Sequence, residues 1–533
     1  EIARVSELLQ SQLLQPINLT PIQPRLAESN LFLISAQGPG ALSFNEFNPL
    51  FTWDRLALQV SGLGGEQDTW AGEGVLAGLY RNASFSLGGS HFTTDGFRKN
   101  ADQGDSLANA FVQLELSPQT SLQAEYRYRK TERGDLQLRF FPDDFFPGQR
   151  NEAERHFIRL GGRHAFSPGS ILLGSFSYQD ADSRESDNQP PEPDLRFLDA
   201  KLLEKAFGAE LQHLFRSRYF HLTSGAGYFH IDGSIQSTFG LVELPPRDVS
   251  RTIDQQIRHV NAYAYGYINL LKDVTFTVGA SVDSISGDFP AAETTQFNPK
   301  FGVTWNPFAA TTVRAAVFRT VRRTLITEQT LEPTQVAGFN QFFDDFNLTD
   351  AWRYGGAIDQ KFSGDVFGGV EVARRNLKVP SATREADWNE DLGRAYLFWT
   401  PHPRLALRAE YLIERFKRDE QDPDGLMELN SHRVPLGISV FHPSGVSASV
   451  RATYFNQEGD FTGAVATRLR SGRDEFWTVD AAINYRLPKR WGFITVGATN
   501  LFDTEFKFFD VDRNNPSIHP VRTFFARVTL AWP

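Results

Sequence analysis

The chain has 533 residues and a mean hydropathy of −0.35, with no run of 18 apolar residues, which excludes a helical membrane span. A net charge of −10 argues against a nucleic-acid partner. The absence of cysteine excludes thiolate metal sites, catalytic thiols and disulfides.

Residues 1–18 carry Ile2, Val5, Leu8, Leu9 and Leu13 at helical spacing and stop near Pro16, so a short amphipathic helix is expected. Residues 19–52 are rich in Pro, Asn and Phe without a sustained period. They read as an extended lead-in, a linker or a segment lying in a lumen. Together 1–52 form a first unit, periplasmic or luminal, ahead of one large domain over 53–533. Met427 is the only methionine and the chain starts at Glu1, as in a processed or excised chain, so a missing signal peptide says nothing about export.

From residue 53 the pattern has period 2. Leu122, Ala124, Tyr126 and Tyr128 share one face, and Gln123, Glu125, Arg127 and Arg129 the other. Leu405, Leu407, Ala409 and Tyr411 oppose Arg408 and Glu410 in the same way. In all, 22 such runs are counted, the first over 53–62 and the last over 521–532; others fall at 204–216, 218–232, 256–271 and 491–502. Connections alternate in length. Counted back from Trp532, every second link is short, as at 488–490, 443–444, 272–273 and Arg81-Asn82. A soluble all-β fold has no reason to keep such a rule. The expectation is therefore an all-β, 22-stranded antiparallel transmembrane β-barrel with short periplasmic turns and long extracellular loops, integral to a bacterial outer membrane.

Five stretches carry a family resemblance: 298–305 (NPKFGVTW), 312–319 (TVRAAVFR), 478–485 (TVDAAINY), 496–503 (VGATNLFD) and 522–532 (RTFFARVTLAW). They resemble the barrel of TonB-dependent outer-membrane receptors, most specifically in the G-x-x-N-L-F-D run and the aromatic-ended last strand. The resemblance implies a receptor or transport channel, an energising periplasmic partner, and contact with outer-membrane lipid and lipopolysaccharide. It also implies that the last strand, with Phe524 and Trp532, is the signal read by the barrel-assembly machinery. Such receptors carry a plug and a TonB box, and neither is seen in residues 1–52. The lead-in at 21–32 (PIQPRLAESNLF) resembles the junction in outer-membrane proteins whose barrel follows tetratricopeptide repeats. The alternative expectation is thus a membrane anchor or export pore of a larger periplasmic or surface assembly.

An aromatic-acid cluster recurs in three expected external loops, at 140–146 (FFPDDFF), 342–346 (FFDDF) and 506–512 (FKFFDVD). Phe140, Phe141, Asp143, Asp144, Phe342, Phe343, Asp344 and Asp345 are candidate ligand contacts, since exposed rings stack on ring faces of a ligand and carboxylates bind hydroxyls or cations. The alternative is that the rings pack the loops together. Arg319, Arg322 and Arg323, just above a strand end, are candidates for an anionic group. Inward-facing Arg127, Arg129, Arg314, Arg408, Arg451, Arg486 and Arg527 are expected to pair across strands. The acidic stretch 419–425 fails the EF-hand pattern, because the position that needs Glu is Ser431. The histidines lack metal-site spacing, and no nucleophile elbow or phosphate loop is present. No enzyme activity, cofactor or metal site is expected.

Overall fold

The computed structural model describes residues 54–190, 194–242, 247–287, 293–323, 330–341, 345–380, 385–419, 425–462, 469–511 and 517–532. The helix and lead-in expected over 1–52 and most of the acidic stretch 419–425 lie outside these residues.

The alternating runs form one 22-stranded antiparallel sheet in which each strand pairs with its neighbours in the chain. The sheet closes on itself through the first strand, Arg55–Gly65, and the last, Thr523–Trp532, in a register running from Leu58↔Trp532 to Gly65↔Phe525. Closure leaves the transmembrane wall without an edge, which the hydrocarbon layer demands because it offers no water to unpaired backbone groups. No described helix is long and apolar enough to cross a membrane; this chain crosses with strands.

The two faces of the wall differ as period 2 requires. Leu58, Val60, Phe524 and Val528 face out and stay exposed, whereas Ser61 and Thr529 face in and share a hydrogen bond of 2.9 Å. Tyr80, Phe166, Tyr219, Phe308, Phe362 and Trp491 are exposed beside the short turns, where a girdle of rings marks the periplasmic interface. Inward arginines pair along the wall: Arg127 with Glu125, Arg129 with Asp105, Arg314 with Asp359 and Glu371, Arg408 with Glu410, and Arg451 with Asp480. Arg527 donates to Ser61, and Arg486 is exposed at a strand end.

Each expected strand has its counterpart, but the outer ends differ. The expected runs 204–216, 218–232 and 256–271 are the strands Leu195–Arg216, Phe220–Leu241 and Arg247–Leu271. Hydropathy alternation fades where the outward face leaves lipid and becomes polar, while the backbone ladder continues. The expected run 491–502 is shorter, Gly492–Thr499. Asn500 stops it with a left-handed backbone, φ 45°. Its side-chain amide donates to the carbonyls of Thr504 and Pro520, both at 3.1 Å, and its oxygen accepts the Thr504 N–H at 3.0 Å. The N-L-F-D run is thus a stitch that closes the last long loop.

Candidate functional site

Three long connections at the extracellular end, 134–148, 322–349 and 500–522, decide what the lumen looks like. The strand Thr311–Val321 is 11 residues long, and just beyond it the Arg323 side chain reaches Asp283 on the luminal face. Residues 330–341 form a strap inside the barrel. A two-residue ladder, Gln335↔Asn340 and Val336↔Phe339, turns at Ala337 and Gly338 with φ of 47° and 86°. Two consecutive positive φ angles are the geometry of a tight hairpin.

The strap is held by burial first. Val336 and Phe339 are fully buried against Tyr263, Tyr265, Ala316, Phe318 and Ala357 of the wall. Burying such side chains contributes about 1.5–3 kcal/mol each. The wall gives way to them: a Cβ on Gly355 would lie 2.4 Å from the Phe339 ring, and one on Gly302 would lie 2.8 Å from Ala337 Cβ. The guanidinium groups of Arg314 and Arg353 sit 5.3 and 5.8 Å from the Phe339 centroid, within cation–π range. Leu331 packs on Ile171, Leu173 and Leu214. Ile171 opens its strand just above a periplasmic turn, and Leu214 nearly ends its own. The strap therefore reaches down to the periplasmic end of the lumen.

Polar groups then fix its register. Glu210 accepts the Thr330 hydroxyl at 2.6 Å and the Leu331 N–H at 3.1 Å. Glu332, 1% exposed, pairs with Arg323 and accepts the Tyr265 hydroxyl. Arg323, 2% exposed, also reaches Asp283 at 2.7 Å, and Asp283 is itself held by His259 at 2.9 Å and Asn298 at 2.8 Å. Burial alone would lower the Arg323 pKa, but Glu332 and Asp283 outweigh it and hold the guanidinium above its ordinary value. Both strap-side charges are thus dry, paired and hydrogen-bonded, the condition under which a buried ion pair is tolerated.

A second body covers another arc of the wall. Phe140 stacks on Phe461 at 4.6 Å and packs with Phe416, Leu426, Leu429 and Phe509. Phe508 joins Phe455 and Phe476. The Asp510 N–H donates to the Leu138 carbonyl at 2.8 Å, which ties loop 500–522 to loop 134–148. Gln457 caps the join from the wall: its amide donates to the Phe509 carbonyl at 3.0 Å and accepts the Phe509 N–H at 2.6 Å. Under these rings lies a knot around Asp135, which pairs with Arg98 and Arg139 and accepts the Phe146 N–H at 2.9 Å. Burial pulls the Arg98 guanidinium down to about 10, with Asp135 opposing.

The candidate residues fall into different places. Phe140 is 1% exposed, inside the aromatic packing. Phe141 is half-buried with the Arg470 guanidinium 3.5 Å from its ring centroid; Asp143 is exposed and Asp144 buried. Phe342, Phe343 and Asp344 lie outside the described residues. Asp345 pairs with Arg375, which also holds Glu390. Arg319 makes a two-pronged contact to Asp350 at 2.8 and 2.7 Å, and Arg323 is the strap's own anchor. The Arg322 N–H donates to the Thr349 carbonyl at 2.8 Å, closing the base of the loop. Phe524 and Trp532 face lipid on the last strand. Two of the three aromatic clusters meet; in the third, Phe346 packs edge-on against Trp388 of the wall. Glu332, Tyr265 and Leu331 escaped the sequence reading, since nothing in their spacing signals a loop that turns into the barrel.

One substitution reports on the aromatic body. A Cβ on Gly472 would lie 2.2 Å from the Phe140 ring, so Gly472→Val is expected to cost about 1–3 kcal/mol by overpacking. Loop 134–148 should then become cleavable by added protease, while the barrel keeps its resistance to detergent. Unchanged cleavage would show that Phe140 does not hold this loop.

A family model described as "TonB dependent receptor-like, beta-barrel" matches residues 52–342, more than half of the chain. No curated protein matches it. Among solved structures, the copper transporter OprC has a TM-score of 0.69 at 12% identity, over 90% of this chain and 81% of that one. The pyoverdine receptor FpvA from Pseudomonas aeruginosa PAO1 has a TM-score of 0.69 at 13% identity, over 90% and 78%. The siderophore receptor PiuA from Acinetobacter baumannii has a TM-score of 0.66 at 11% identity, over 90% and 82%. At such identities the likeness is one of fold.

Proposed function

Because this chain belongs to the TonB-dependent receptor-like β-barrel family, we propose that it is a receptor and transport channel whose lumen is gated from within by the strap 330–341. Its place is the Gram-negative outer membrane, where the 22-stranded barrel is an integral protein. The observation that carries the gating is Leu331, brought by an extracellular connection to within a few residues of the periplasmic rim. A barrel of this width is not filled by its own wall side chains, so the strap and the loop body set the passage. A solute enters between the strap and the aromatic body, where Phe141, Asp143 and Arg470 offer a ring, an exposed carboxylate and a guanidinium. An energising periplasmic partner of the kind that gives the family its name would supply the work of displacing the strap.

Capture by the loops is tested with the cargoes of the structural neighbours. Cupric ion and ferripyoverdine are titrated against the purified protein by tryptophan fluorescence, beside a Phe141→Ala, Asp143→Asn, Arg470→Ala variant. A cargo that binds the parent protein is expected to lose about tenfold or more in the variant, which corresponds to about 1.4 kcal/mol. Equal affinity would remove these residues from the capture site, and no binding by either cargo would remove that ligand class.

A further inference from the structure

The strands Leu195–Arg216, Phe220–Leu241 and Arg247–Leu271 are 22, 22 and 25 residues long, where about 9–11 suffice to cross the hydrocarbon layer. Their outer parts stand above the membrane as a raised wall. On one side the strand Arg247–Leu271 is paired along its whole outer part, from Arg247↔Leu241 to Gln256↔Asp232. On the other side the neighbouring strand, Val274–Gly287, begins its ladder only at Ile257↔Gly287. Among the described residues, 247–256 therefore pair on one side only. The connection 288–293 is too short to run the length of this edge and return.

Edges like this are commonly blunted by Pro, by a bulge or by charged side chains. The sequence at 247–256, RDVSRTIDQQ, has no Pro and its ladder to Phe220–Leu241 carries no bulge, so only its charges restrict what can pair with it. Two apolar rows cross the inner face of the raised wall and stop at the edge. One is Leu202, Ile235 and Ile253; the other is Leu198, Phe239 and Val249. They continue the buried row Ala206, Ile231 and Ile257 below, which fixes their orientation toward the vestibule. On the same face, in the alternate positions, stand Arg247 and Arg251, both exposed and with no acidic partner among the described residues.

We propose that residues 247–256 are a docking edge for an extended segment of a partner protein, which adds as an antiparallel strand. Backbone hydrogen bonds give such pairing its affinity and side-chain rows its selectivity. Opposite residues of an antiparallel pair lie on the same face. The inner face of the incoming strand therefore reads acid, apolar, acid, apolar, against Arg247, Val249, Arg251 and Ile253. The inference is independent of the gate and of any cargo.

The test uses the full chain in detergent and a synthetic ten-residue peptide, Glu-Thr-Val-Thr-Glu-Thr-Val-Thr-Glu-Thr, blocked at both ends. Its counterpart carries Lys in place of Glu. Binding is read by fluorescence anisotropy, and hydrogen exchange reports the amides of 247–256. The acidic peptide is expected to bind, to protect every second amide of 247–256, and to exceed the lysine peptide about tenfold or more in affinity. Arg247→Glu with Arg251→Glu should reverse that preference. Thr252→Pro and Ile253→Pro, made separately, should differ, because only one of two adjacent amides faces the edge. These residues stand above the membrane, so the detergent-resistant barrel serves as the folding control. No protection of 247–256, or equal affinity for the two peptides in the parent and in the Glu variant, overturns the proposal.

Discussion

Replacing residues 330–341 by a short Gly-Ser linker is expected to raise the single-channel conductance of the purified barrel by a factor of about 3 or more, since wide barrels conduct unless something occupies the lumen. The barrel itself should survive. Its ladders run unbroken around the wall without the strap, and closure depends on Leu58↔Trp532 and its neighbours. The converse variant is available because the chain has no cysteine of its own. Gly302→Cys with Ala337→Cys places two thiols where a Cβ would come within 2.8 Å of Ala337 Cβ, a separation that relaxes by about 1 Å to disulfide geometry. The oxidised protein should conduct least and the strap-deleted protein most, with reduction returning the locked protein to parent behaviour. Equal conductance of all three would mean that the strap is not the gate.

Glu332→Gln should free the strap without deleting it. The substitution keeps shape and removes one charge from a pair whose partners are 2% and 0% exposed at their side chains. Breaking a buried pair costs about 3–5 kcal/mol, because the remaining charge stays in a dry site. Part of that is recovered here, since Arg323 keeps Asp283 at 2.7 Å. The docked strap should therefore lose about 2–3 kcal/mol, which makes its release some 30–150 times more frequent. The readouts are bursts of conductance in single-channel records and new protease cleavage within 322–349. Arg319→Met is the control. Its pair with Asp350 is 32% and 19% exposed, and a pair in contact with water is worth about 0–1 kcal/mol. Conductance bursts of equal frequency in both variants would show that burial of the Glu332 charge does not hold the strap.

Much of the wall is legible without coordinates because it is governed by local rules. Period 2 assigns Leu122 and Tyr126 to lipid and Gln123 and Glu125 to the lumen, and the alternation of link lengths sets the strand number and which end faces out. The pairing of inward charges across strands follows in part: Arg451 meets its neighbour's Asp480, while Arg127 and Arg408 also take Glu125 and Glu410 of their own strands. The aromatic-acid repeats were visible as unusual loops. Whether their rings face a ligand or one another was left open, because composition does not say which loops meet. The structure brings Phe140 and Phe509 together over Phe461 from loops far apart in the chain. Arg319, Arg322 and Arg323 looked like a basic cluster free for an anion. Asp350 and Asp283, which take up Arg319 and Arg323, sit on other strands and meet these arginines only when the strands are paired side by side.

Strand count, topology, the faces of the wall and the membrane that suits them can be read from the chain, because each depends on residues two apart or on the length of one connection. Tertiary structure alone decided the seat of 330–341 in the lumen, the aromatic body on another arc, and the one-sided pairing of 247–256. Each depends on strands and loops far apart in sequence, or on where a neighbouring strand stops. Val336 and Phe339 are apolar residues in a polar connection until Tyr263, Phe318 and Gly355 are brought around them.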